Sequence, residues 1–256
     1  MPASNNIKLL ATAICDHWPR IVSLYFGAYF FVEAPYFFLT EISPLLTVMS
    51  VFQILGVVFL WGKKSRLLIA GFLLLLASQT LYCFAVPGVI PPHIPVVNFF
   101  LLAAALARIE NPQLARLPAD LLFFLFVVIG LSHLTSGLTK FWYFDDAWVN
   151  GLALKNILET SAFAREPFAS AAASFLPQPV LKLLSHGAVA AELSGGLMFF
   201  AGRARFYSLV ALIFLHAGAV LFLALAQVSW GVIICLVWLW ANCILGPEAD
   251  VAKAPK

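Results

Sequence analysis

Few side chains in this sequence are equipped for chemistry, and those few interrupt long apolar runs. Of 256 residues, 62% are hydrophobic and only 11% charged. Glu33, His133, Lys140, His186, Glu192 and His216 stand inside the apolar stretches, with Asn98 and Ser136 as polar neighbours. An ionisable group in hydrocarbon costs about 2.5–3.5 kcal/mol on insertion scales, so each needs a partner, an aqueous cavity or a task. His133, Ser136 and Lys140 are separated by three and four residues, which puts them on one stripe of a helix. A lysine beside imidazoles and a carboxylate, partly withdrawn from water, becomes a competent general base toward a lipid-soluble substrate. Other readings stand beside this one. Lys140 is also placed to snorkel to an interface, the histidines to pack and hydrogen-bond, and Glu192 to pair with His216 or Arg203.

The elements that must carry these residues are helices crossing a bilayer. The hydrophobic content exceeds what a soluble core hides, and a hydrocarbon layer of about 30 Å needs roughly 17–25 helical residues to cross. The apolar runs lack period-2 alternation, so the fold class expected is an all-α polytopic bundle. Spans are expected at about 19–39, 45–61, 67–85, 95–108, 119–141, 179–201, 206–226 and 228–246. That makes eight, or seven if 206–246 does not divide at Gln227 to Gly231. Lys and Arg separate between alternate connections: 11 of the 15 fall on one side, which places both termini in the cytoplasm, by expectation at a bacterial inner membrane.

Residues 1–18 are expected as a cytoplasmic surface helix, 19–246 as the transmembrane domain and 247–256 as a cytoplasmic tail. The one long connection, 142–178, faces outward, with an amphipathic helix over 150–164 and an aromatic belt of Trp142, Tyr143, Phe144 and Trp148. On these boundaries Glu33, His133 and His186 all lie about 10 Å below the outer surface.

Several function classes are excluded or set back. The net charge of +3 arises from scattered Lys and Arg, not a basic face, so nucleic acid is not a partner. Cys15, Cys83, Cys235 and Cys243 have no C-x-x-C spacing, and no metal is expected. Facing histidines invite a haem held by two imidazoles, which ranks well below a quinone or quinol as the expected cofactor. No inverted repeat points to a transporter.

From Leu131 onward the chain resembles the HTTM family, the transmembrane domain shared with vitamin K-dependent gamma-carboxylases. Ser136-Gly137-Leu138-Thr139-Lys140 followed by Trp148-Val149-Asn150-Gly151 is similar to the family's small-Gly-x-x-Lys and Trp-x-x-Gly signature. Glu192 with Arg203 or Arg205, and Phe214-Leu215-His216, resemble two further blocks. The likeness covers roughly 119–246, and Arg20 extends it toward the start. It implies that Lys140 is the base that deprotonates a quinol. The gap from Phe141 to Ala147 is wider than in the carboxylases, and no counterpart of their luminal domain is expected here, so the resemblance does not imply carboxylation of a protein glutamate.

Two functions follow. In the first, an outward-facing pocket uses Lys140, His133 and Glu33 as catalytic groups and His186, His216, Trp148 and Glu192 to bind a quinone or another lipophilic substrate. In the second, the chain is a non-catalytic accessory subunit that packs in the lipid bilayer against other membrane-complex subunits.

Overall fold

A computed structural model of the chain describes residues 5–40, 44–85, 93–110, 117–143, 145–159, 167–200, 202–222 and 226–246. Most of those residues are helical, and none of them is in a strand. They form α1 (Asn5–Thr40), α2 (Pro44–Phe59), α3 (Ser65–Ala85), α4 (His93–Glu110), α5 (Ala119–Tyr143), α6 (Asp145–Val149), α7 (Leu152–Glu159), α8 (Phe168–Phe175) and α9 (Gln178–Leu193). A 3-10 turn over Ser194–Phe199, α10 (Arg203–Phe222) and α11 (Ala226–Leu245) complete them.

Eleven described α-helices replace the eight expected spans. Two of them, over Ala119–Trp142 and Arg203–Phe222, are long and apolar enough to cross a membrane. The apolar stretches Thr47–Phe59, Ser65–Leu81, Val96–Ile109 and Ser229–Leu245 are shorter. The difference has local causes. The expected surface helix 1–18 and first span 19–39 run together as α1, which continues through Pro19 and Pro35 to Thr40. The expected span 179–201 ends at Leu193, where Gly195 and Gly196 follow and the chain tightens into the 3-10 turn. The amphipathic helix expected over 150–164 is α7, described over eight residues. The turn expected at Gln227 to Gly231 is helical instead, inside α11, and residues 223–225 between α10 and α11 lie outside the described residues.

The chain separates into two compact units, residues 1–125 with 237–256, and residues 126–236. In the first, α1 buries Ala11, Cys15, Trp18, Val22 and Phe26, a stripe at helical spacing. Trp18 stacks on Trp238 at 3.8 Å between ring centres and on Phe72 at 5.5 Å. Gly56 and Gly71 bring α2 and α3 together, since a Cβ on Gly56 would lie 3.1 Å from the Gly71 carbonyl oxygen. Buried polar side chains tie the helices without charge. Gln53 Nε2 donates to the Phe26 carbonyl at 3.0 Å, Ser78 Oγ to that of Met49 at 3.0 Å, and Asn242 Oδ1 accepts from the Leu117 amide at 2.9 Å. Such side-chain glue suits helices whose surroundings are as apolar as their contacts.

In the second unit, α5 meets the end of α9 and the 3-10 turn through glycine. A Cβ on Gly130 would stand 2.7 Å from the Gly195 carbonyl oxygen, and one on Gly137 2.9 Å from the Leu193 amide nitrogen. The first half of α9 carries a small hydrophobic cluster instead. Leu158, Ala169, Ala173 and Leu181 are buried together, with Leu154, Ala172 and Leu176 against them. Helices α7 and α8 therefore pack on the start of α9, and the polar stripe of α5 lies at its end.

Candidate functional site

The candidate site lies in the second unit and starts from the α5 stripe. An α-helix returns to the same face after three or four residues, so His133, Ser136 and Lys140 point to one side. The glycine contacts set the register that faces this stripe. Because α5 and the end of α9 run in opposite directions at Gly137 and Leu193, the residue that meets Lys140 is Glu192. Lys140 Nζ forms an ion pair with Glu192 Oε1, and Ser136 Oγ donates to the same oxygen at 3.1 Å. The lysine side chain is 24% exposed and the glutamate side chain 9%, so the carboxylate is the more deeply buried member of the pair.

Trp148 covers the pair, with Lys140 Nζ 4.8 Å from its ring centre, a cation–π contact. Its short helix α6 cannot stand alone, and three hydrogen bonds hold that segment to α9. Ser185 Oγ donates to the Trp148 carbonyl at 2.6 Å, His186 Nε2 to that of Val149 at 2.9 Å, and Gln178 Nε2 to that of Asn150 at 2.5 Å. The turn after α6 needs Gly151, whose φ is +75° and whose Cβ position lies 2.7 Å from the Lys182 amide nitrogen. The two sequence blocks 136–140 and 148–151 thus serve one spot, the first supplying the ammonium and the second the ring above it.

Two turns back along the same stripe, His133 of α5 forms a buried pair with His216 of α10. His133 Nδ1 lies 2.9 Å from the Ile129 carbonyl oxygen, and its Nε2 lies 2.9 Å from His216 Nε2. The carbonyl can only accept, so Nδ1 of His133 carries a hydrogen. In the neutral ring Nε2 is then the acceptor, and His216 Nε2 donates to it. The rings meet edge to face at 5.3 Å. Iron held between two axial imidazoles needs their nitrogens about 4 Å apart, twice a metal–nitrogen bond of about 2.0 Å. At 2.9 Å the pair fits a shared hydrogen and not a haem iron.

The expected site residues therefore separate. Lys140, Glu192 and Trp148 come together, and His133 meets His216. His186 is exposed and holds α6 to α9. Glu33 belongs to α1 in the other unit, and its side chain lies outside the described residues. The partners expected for Glu192, His216 or Arg203, give way to Lys140. Arg205, on the neighbouring turn, donates through Nε to the Met198 carbonyl at 3.0 Å and stands 4.1 Å over the Phe126 ring. The expectation failed because a continuous 179–201 span would carry Glu192 far from the outer end of α5. With the first half of α9 taken up by α6, α7 and α8, Glu192 falls level with Lys140. The glycines at 130, 137 and 195 were the available sign of that close approach. Compared with known proteins, the chain matches no family model, no curated protein and no solved structure.

Proposed function

We propose that the chain is an HTTM-like integral membrane enzyme in which Lys140 acts as base on a quinone-like or other lipophilic substrate at an outward-facing site. The observation that carries this reading is the ion pair of Lys140 and Glu192 beneath Trp148. An ammonium is no base until it sheds a proton, and the carboxylate touching it is the acceptor. In the proposed step Oε1 accepts that proton from Nζ, and the amine so freed takes the hydroxyl proton of the substrate. Ser136, bonded to the same oxygen, keeps the carboxyl aimed. His133 and His216 hold a further hydrogen along the stripe. The proposed setting is a bacterial inner membrane with both termini cytoplasmic, in keeping with the distribution of basic residues and with two helices of spanning length.

The test is quinone content. The chain purified in mild detergent under reducing conditions should carry quinone in its reduced, quinol form, and Lys140→Ala should lose it at least about tenfold while α-helical content is unchanged. Equal quinone in both proteins contradicts the reading.

Exposed aromatic groups favour a second reading, an accessory subunit of a membrane complex. Phe175 is 85% and Trp142 78% exposed. Stoichiometric companion chains, with no bound quinone, would support it over the enzyme.

A further inference from the structure

We propose that Glu192 selects the ligand of this site: its second carboxylate oxygen, Oε2, calls for a hydrogen-bond donor, so the site takes neutral lipophilic molecules bearing a hydroxyl and rejects the same molecules with that hydroxyl capped. This rests on the reading of Lys140 above and adds the atom that discriminates. The two oxygens of Glu192 are treated differently. Oε1 receives both Lys140 Nζ and Ser136 Oγ. Oε2 is buried and has no hydrogen-bond partner among the described residues. A carboxylate in an ion pair only accepts hydrogen bonds.

The chemistry of the missing partner follows by elimination. A ketone or ether oxygen would set acceptor against acceptor. A second cation would face the Lys140 ammonium on the same carboxylate, so the donor is uncharged. An amide or sugar would bring several polar groups into surroundings made by the Trp148 ring and the close backbone contact at Gly137 and Leu193. A single hydroxyl on an apolar frame meets all three conditions. The lysine is the more exposed member of the pair, so the ammonium is its solvent-facing side. A site that hydrogen-bonds a ligand hydroxyl penalises the analogue lacking it, because the buried protein group stays unmet.

The experiment is calorimetric titration of the full chain in lipid nanodiscs with 4-hexylphenol and with its methyl ether. The wild type should prefer the phenol by about ten- to a hundredfold. Glu192→Gln, whose amide both donates and accepts, should bind the two within about threefold of each other. The comparison of the two compounds on the wild type needs no variant, and it decides the role of Oε2 if Glu192→Gln fails to fold. Equal binding of both compounds by the wild type overturns the role of Oε2 alone, as does a preference that survives Glu192→Gln. Saturable binding of neither compound by the wild type overturns the Lys140 reading as well.

Discussion

Lys140 and Glu192 are worth more together than either is worth alone. Two charges withdrawn from water repay their desolvation only through each other, and a survivor is left uncompensated. Lys140→Met should therefore cost about 3 kcal/mol of unfolding free energy, and Lys140→Met with Glu192→Leu should recover most of it. Denaturant titration of the three proteins checks the coupling, and additive losses would show that the pair carries no mutual stabilisation. The sequence made the members of this pair visible, since a lysine and a glutamate inside apolar runs attract notice. It did not make the pairing visible, because the partner of Lys140 depends on helix register, and register was set by glycine contacts between backbones. His186 shows the opposite failure. It looked like an intramembrane histidine, and it is an exposed donor to the Val149 carbonyl because α9 starts among the short helices.

Among elements, the contact of α5 with α9 and the 3-10 turn is the joint on which the site depends. An alanine at Gly195 would push a methyl to 2.7 Å from the Gly130 carbonyl oxygen and 3.1 Å from the His133 Cβ. Gly195→Ala should destabilise the chain by about 1–3 kcal/mol. Gly187, on the same α9, has open space around its Cβ position, and Gly187→Ala should be neutral or stabilise by up to about 1 kcal/mol. Thermal unfolding in detergent distinguishes them, and a similar response from both would mean that the glycine contact is not tight. Helix existence was legible from the sequence in every apolar run. Helix ends were not, since hydropathy cannot tell a lipid-facing turn from one buried by neighbours. That is why Phe168–Phe175 and the first half of α9 read as connection and span when they form one packed cluster with α7.

For the whole molecule, membrane placement rests on composition and on the two helices of spanning length. The proposed orientation puts Lys64 and Lys155 on opposite sides of the membrane. In intact cells a membrane-impermeant maleimide should label Lys155→Cys and leave Lys64→Cys unlabelled until the membrane is opened. Labelling of both from outside would contradict the proposed orientation. The central claim is that a lipophilic substrate comes to rest against the Lys140 amine. Its most direct measurement is the rate at which acetic anhydride modifies each lysine of the wild-type chain, read peptide by peptide by mass spectrometry, with and without decylubiquinol. The account predicts that the quinol slows modification of Lys140 and leaves Lys155 and Lys182 unchanged. A Lys140 that reacts at the same rate in both samples would contradict it.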